Sequence, residues 1–327
     1  MALSTELTER LGLEAPVILA PMAGVAGGAL AAAVSRAGGL GFIGAGYCDK
    51  DWIESQWPLA EGAPVGIGFI TWALRDRPDV LDRALERGPK AVFLSFGDIG
   101  AFADEIKAAG AALFAQVQTV DQARRAVDDG AEFIVAQGTE AGGHGAARAT
   151  LALVPAVKDA VGAVPVIAAG GIADGRGLAA ALMLGAEGAV CGTAFFASNE
   201  ALSPNRAKQV AIGASGDQTE RSNVFDLARG INWPAPWTLR ALTNRFSEKW
   251  AKGMPEAERG AEQNRYAKAA AQGDFDTAAV IVGEAVDLVI ESRPAGDILR
   301  AIVGEAEELL SAAPRYVRAE RKIKDAS

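Results

Sequence analysis

The chain has 327 residues, half of them apolar, and 32 Lys and Arg against 41 Asp and Glu give a formal net charge of −9. That size and apolar content suit one large barrel, or a barrel with an added domain. The acidic balance excludes a nucleic-acid surface, which needs a basic stripe.

Short apolar runs recur at 16–20, 40–43, 65–70, 91–95, 112–117, 133–136, 164–168 and 189–192. They are continuous rather than alternating, as strands buried on both faces require. Between them, 29–36, 78–87, 102–109 and 120–128 carry apolar residues at helical spacing. Asp98, Asp121 and Asp174 stand at loop-to-helix junctions and are expected as N-caps. Strands alternating with helices predict parallel βαβ units, and eight of them close into an α/β (β/α)8 TIM barrel. A doubly wound open sheet is the alternative.

The alternation stops near residue 198. Residues 215–221 are polar, 232–237 hold two prolines and two tryptophans, and 250–272 are charged and Ala-rich. This predicts an inserted helical cap over 203–273, with the barrel and its returning helices in 1–202 and 274–327. The charges of 250–272 read as a solvated helix face. Trp233 and Trp237 fit either the cap core or a pocket wall. Segments 276–290 and 298–310 read as amphipathic helices, and the charged tail from Arg315 is expected to fray.

No apolar stretch approaches about 18 residues without a charge or glycine break, so no membrane span is expected. Early acids and the lack of a long apolar core argue against a signal peptide in residues 1–10. Cys48 and Cys191 are far apart, which argues against a disulfide framework and for a reducing, cytoplasmic setting. Neither has a second cysteine or a histidine nearby, so no metal site is expected. Cys191 ends an apolar run and reads as a small buried hydrophobe.

In a (β/α)8 barrel the active site forms where the strands end. The first run leads into Ala20-Pro21-Met22-Ala23-Gly24, either an ordinary turn or a backbone edge against a flat ligand, with Met22 a shape-adapting contact. The seventh leads into Ala169-Gly170-Gly171 and the eighth into Gly192-Thr193. Each is weak alone, since Gly-Gly is a common turn. Together, at the two strands where barrels hold phosphate, they predict an anion cradle of close backbone N–H groups. The sixth leads into Gln137-Gly138-Thr139-Glu140-Ala141-Gly142-Gly143-His144-Gly145. His144 is the chain's one histidine. A lone histidine is more often structural, yet glycines here give an imidazole nothing to pack on, and its ordinary pKa near 6.5 suits proton abstraction. Gln116 and Gln137 end the fifth and sixth runs. They are either satisfied amides at the barrel mouth or partners for a heterocycle such as an isoalloxazine pyrimidine.

Taken together, Ala20–Gly24, Gln137–Gly145, Ala168-Ala169-Gly170-Gly171-Ile172-Ala173-Asp174-Gly175 and Gly192-Thr193 resemble the nitronate monooxygenase (2-nitropropane dioxygenase) family. The resemblance runs through 14–200 and, more weakly, through 273–290 and the final helix. The Glu-Ala-Gly-Gly-His string is its most specific part. It implies FMN at the mouth of a (β/α)8 barrel, with oxidation of alkyl nitronates such as propionate 3-nitronate by O2 to a carbonyl compound and nitrite. By that resemblance His144 is the base or orients the substrate. Gly170, Gly171, Gly192 and Thr193 hold the FMN phosphate, and Ala20, Pro21, Met22 and Ala23 flank the ring. Gln116 and Gln137 bond its pyrimidine edge and ribityl chain. Gly68, Ala141, Gly142, Gly143 and Ala169 complete the expected contacts. Two departures stand out: many relatives carry Gly-Val-Asn where this chain has Gly66-Ile67-Gly68, and Lys where it has Gln116. A cation near flavin N1 would stabilise the reduced anion, and a neutral amide does not.

Two other readings share these motifs: an FMN-dependent NAD(P)H reductase acting on a quinone or enoyl thioester, and a phosphate-binding barrel without flavin. The expected partners are a small nitronate or nitroalkane and O2, with no nucleic acid and no membrane. A homodimer is left open.

Overall fold

The computed structural model describes residues 3–316. Eight strands form one parallel sheet: β1 (Val17–Leu19), β2 (Phe42–Gly46), β3 (Gly66–Ile70), β4 (Ala91–Ser95), β5 (Ala112–Val117), β6 (Phe133–Gln137), β8 (Val166–Ala169) and β9 (Ala189–Cys191). A short β7 (Gly143–Gly145) leaves this sheet. The order is β1-β9-β8-β6-β5-β4-β3-β2, and a parallel bridge from Ile18 to Leu40 joins its two ends. The sheet therefore closes into a TIM barrel, as the alternation of apolar runs and helices predicts.

Residues alternate between two cores along each strand. Ile18, Phe42, Phe93, Phe114, Phe133, Val135, Ile167 and Val190 fill the interior. Val17, Ile43, Ile67, Val92, Leu113, Ile134, Val166 and Cys191 pack outward beneath the helices. Phe93 and Phe114 stack at 6.1 Å and Phe114 and Phe133 at 4.5 Å. Each buried ring contributes roughly 2–3 kcal/mol of apolar burial. From β3 the interior receives only backbone: a Cβ on Gly66 would lie 2.4 Å from the Phe42 ring, and one on Gly68 2.2 Å from Pro21. Leu7 and Leu11, on the helix Glu6–Leu11, join the same core beside Leu40 and Ala91. The barrel is thus a packed core, and a ligand can enter only at its C-terminal mouth.

Several expectations differ in detail. Asp174 caps its helix, accepting from Gly177 N at 3.1 Å. Asp121 sits inside the first turn, because Thr119 takes the N-cap in a reciprocal box with Gln122. Asp98 lies one residue outside, accepting from Gly100 N at 3.0 Å while Ile99 holds the cap position. Residues 276–290 do not form the expected amphipathic helix. Residues 275–277 turn, with Ala278 N donating to Asp274 O, residues 279–283 form neither helix nor strand with Val280 and Val282 buried, and Glu284–Leu288 coils into a 3-10 turn. Other backbone bonds of the segment go elsewhere: Leu242 N donates to Val280 O and Glu284 N to Glu140 O. The final helix spans Ala295–Ala312, and the tail beyond Tyr316 lies outside the described residues.

Segment 203–273 carries helices Asn205–Ile212, Val224–Arg229, Arg245–Lys249 and Glu256–Gln272, and it also carries strands. β10 (Thr219–Ser222) and β11 (Thr238–Leu242) pair antiparallel, and β11 pairs with β7. Phe225, Phe246, Trp250 and Tyr266 form a separate core beneath them. The helix Glu256–Gln272 is mostly exposed, but Glu262 is buried and takes Lys249 Nζ at 2.7 Å.

Candidate active site

All the loops expected to form a site meet in one cavity at the C-terminal mouth. Ala20, Pro21, Met22 and Ala23 form one wall, and Gly68 in the middle of β3 and Gln116 near the end of β5 also line the cavity. Gln137, Ala141, Gly142, Gly143 and His144 form a second wall, and Ala169, Gly170, Gly171, Gly192 and Thr193 a third. Gly170 and Gly171 adopt φ of 101° and 73°, the left-handed region that glycine tolerates best. Gly142 has no room for a side chain, since its Cβ would lie 2.5 Å from the Val282 carbonyl carbon. Val282 and Gly283 thus press backbone to backbone on the β6–β7 loop. Thr193 Oγ1 accepts from Gly283 N at 2.9 Å, which ties the same segment to the end of β9.

The two glutamines differ. Gln137 is buried and engaged within the chain: its Nε2 donates to His144 O at 3.0 Å, and its Oε1 accepts from Gln118 Nε2 at 3.1 Å. Gln116 is half-buried, faces the cavity, and bonds through its amide to no other described side chain.

His144 is 8 % exposed. It sits on β7 opposite Leu239 of β11, so that strand fixes its backbone. Its Nε2 lies 3.0 Å from both Oδ1 and Oδ2 of Asp226. Its ring stacks on Trp233, centroids 3.4 Å apart. Burial pulls the imidazole below its ordinary value; Asp226 opposes this, while Arg229 and Arg221 add to it. The lowered value favours the neutral ring, the form able to accept a proton.

Four neighbours were not identifiable as site residues from sequence: Tyr47, Phe96, Asp226 and Arg229. Arg229 lines the cavity with its guanidinium 5.7 Å above the Tyr47 ring and 3.7 Å from Asp226 Oδ1. Phe96 holds φ 63°, an uncommon state for a bulky residue that costs about 1–3 kcal/mol, and it sets its ring edge-on to Trp233 at 5.1 Å. Of the two tryptophans, Trp233 is pocket wall and donates to Tyr47 Oη at 2.9 Å, whereas Trp237 donates to Gln118 Oε1 at 3.0 Å. Nothing in the sequence pattern marks Asp226, because it meets His144 only where helix Val224–Arg229 packs beside β7.

The β6–β7 loop is pinned by Arg221 of β10. Its guanidinium donates to the carbonyls of Thr139 (2.9 Å), Ala141 (2.8 Å), Gly143 (3.1 Å) and Thr238. Burial, aided by neighbouring Arg240, pushes it down to about 10.

Fold and site together define a (β/α)8-barrel enzyme with a glycine-lined mouth and a single buried imidazole packed against residues of segment 203–273. The nitronate monooxygenase family model matches residues 4–63 and 70–305, and the chain belongs to that family of oxidoreductases. A nitronate monooxygenase from Neurospora crassa is 35 % identical, over 90 % of this chain and 89 % of that one. Among solved structures, FabK from Thermotoga maritima has a TM-score of 0.85 and 30 % identity, covering 96 % of this chain and 100 % of that one. The nitroalkane oxidase from Streptomyces ansochromogenes has a TM-score of 0.80 and 28 % identity, covering 92 % and 98 %.

Proposed function

We propose that the protein is an FMN-dependent nitronate monooxygenase that oxidises alkyl nitronates, such as propionate 3-nitronate, with O2 to a carbonyl compound and nitrite. The observation that carries this reading is the buried imidazole of His144, held by Asp226, on a cavity that combines a glycine cradle with a free amide. The donor set fits FMN. Gly170, Gly171 and Gly192-Thr193 would hold its phosphate, and Ala20–Ala23 would flank its ring. Gln116 offers both donor and acceptor to a pyrimidine edge, and Gln137 retains one amide hydrogen beyond its bond to His144 O. When bound, the flavin would take electrons from the substrate and pass them to O2.

The chain's own residues would do the rest. His144 would accept the α-proton of a neutral nitroalkane; a preformed nitronate needs no such step. Trp233, Phe96 and Tyr47 would exclude water from the reacting groups, which strengthens their electrostatic interactions. Residues 203–273 would act as the cap that sets substrate fit, since Arg229, Trp233 and Leu239 on the cavity wall come from it.

The likeness to FabK across nearly the whole chain supports a second reading, reduction of an acceptor by NAD(P)H. Anaerobic mixing of the flavin-loaded protein with NADH, and separately with propionate 3-nitronate, decides between them. Rapid bleaching by the nitronate alone is expected. Rapid bleaching by NADH alone would reject the monooxygenase reading.

A further inference from the structure

We propose that Asp226 is a positioning residue for proton transfer, holding His144 as the tautomer protonated at Nε2 so that Nδ1 is the base. The proposal rests on the nitronate monooxygenase reading for its chemistry, while its geometry stands independently.

Asp226 is 2 % exposed and sets both carboxylate oxygens 3.0 Å from His144 Nε2. An ionised carboxylate can only accept, so Nε2 must donate. A neutral imidazole with its hydrogen on Nε2 has its lone pair on Nδ1. Among the described residues Nδ1 has no hydrogen-bond partner, and His144 lines the cavity. The ring cannot turn freely to exchange the two nitrogens. Its backbone is paired to Leu239, its carbonyl takes Gln137 Nε2, and Trp233 covers one face. The carboxylate comes from the cap helix Val224–Arg229 and the imidazole from the barrel loop, so the pair forms only when cap and barrel meet.

In the step itself the α-carbon's C–H bond breaks and its proton passes to Nδ1. The electron pair stays on the substrate as the nitronate, and His144 becomes an imidazolium. Asp226 then balances that buried positive charge, and the proton leaves to solvent from Nδ1. The charged and titratable groups around the ring are Asp226 and Arg229 of the cap helix, Arg221 of β10, and Tyr266, which lies close to Asp226 and Arg229.

The chain's single histidine makes a direct test available. Untagged, flavin-loaded protein labelled with 15N-histidine gives one imidazole. In the wild type, the neutral form is expected to show protonated Nε2 and bare Nδ1. An Nδ1–H signal there would overturn the proposal, whatever any variant does. In Asp226→Asn the imidazole loses its balancing charge, and its titration is expected to move down by about one unit. With it, kcat on neutral nitroethane should fall about 10- to 100-fold with little change in KM, while the rate on preformed ethyl nitronate holds. An unchanged pH profile and an unchanged kcat on nitroethane would also overturn it. A wild-type protein inactive on every nitro compound would reject the functional reading instead, and the 15N spectrum would still decide the role of Asp226.

Discussion

His144 and Trp233 lie face to face, their ring centroids 3.4 Å apart and their planes 12° from parallel. One belongs to a barrel loop and the other to the cap, so the stack is a direct contact between the two. It also accounts for part of the burial that holds the imidazole below its ordinary value. Trp233→Ala would hydrate the exposed ring face. The His144 titration should then rise toward about 6.5, moving the acid limb of kcat/KM to higher pH, and KM should increase. A limb that stays in place would show that the stack does not govern the imidazole.

His144→Ala is expected to keep flavin and fold but to lower turnover of neutral nitroalkanes by about 100-fold or more. Turnover of preformed nitronates should fall far less, since only the neutral form needs a base. Parallel rate measurements on nitroethane and ethyl nitronate check this. Equal losses would reject the base assignment and leave His144 as a binding contact.

Arg221 satisfies the carbonyls of Thr139, Ala141, Gly143 and Thr238 at once. Arg221→Met strands these acceptors in a half-buried place, at a cost on the order of 3 kcal/mol in urea unfolding. Flavin retention on gel filtration should fall as well, because the β6–β7 loop loses its tether. Arg221→Lys should rescue little, since an ammonium lacks the planar fork that reaches several carbonyls. Full rescue by lysine would mean that charge, not geometry, holds the loop.

Gly170 combines φ 101° with a Cβ position 2.9 Å from Thr150 Oγ1 and 3.0 Å from Gly138 O. Gly170→Ala should cost about 1–3 kcal/mol and markedly lower the flavin content after dialysis. Gly162 provides the control. Its φ is 62° but nothing lies within 4 Å, so Gly162→Ala should lose stability alone and retain flavin. Equal flavin loss in both variants would contradict a local role for Gly170.

Glu105 is pushed up to about 7 by the neighbouring Asp82 carboxylate, aided by burial. Its folded value lies above its unfolded value of 4.5. Its stabilising contribution is therefore complete below the unfolded value and is lost as pH rises through about 7. Glu105→Gln keeps a hydrogen-bonding group without the titration. The fall in Tm between pH 5 and pH 8 should be shallower in this variant than in the wild type. Identical slopes would remove Glu105 from the pH dependence.

By itself the sequence determined the barrel and which loops meet at its mouth. Uninterrupted apolar runs such as Ala91–Ser95 have no polar face to expose, so they must be covered on both sides, and helices between them supply the cover. Glycines at Gly142, Gly143, Gly170 and Gly171 mark where backbone must come close or turn left-handed, a constraint local enough to read from residue type. Only the tertiary structure decided what surrounds His144. The 276–290 segment has a composition that suits a helix, yet its hydrogen bonds go to Glu140 and Leu242, far away in the chain. β7, β10 and β11 are short, and each is stable only against the others. Asp226, Arg229 and Trp233 carry no local signature, because each meets His144 or its neighbours only through the packing of segment 203–273 on the β6–β7 loop. Local chemistry thus placed the imidazole at the mouth, and long-range packing set which of its nitrogens is held and which is free.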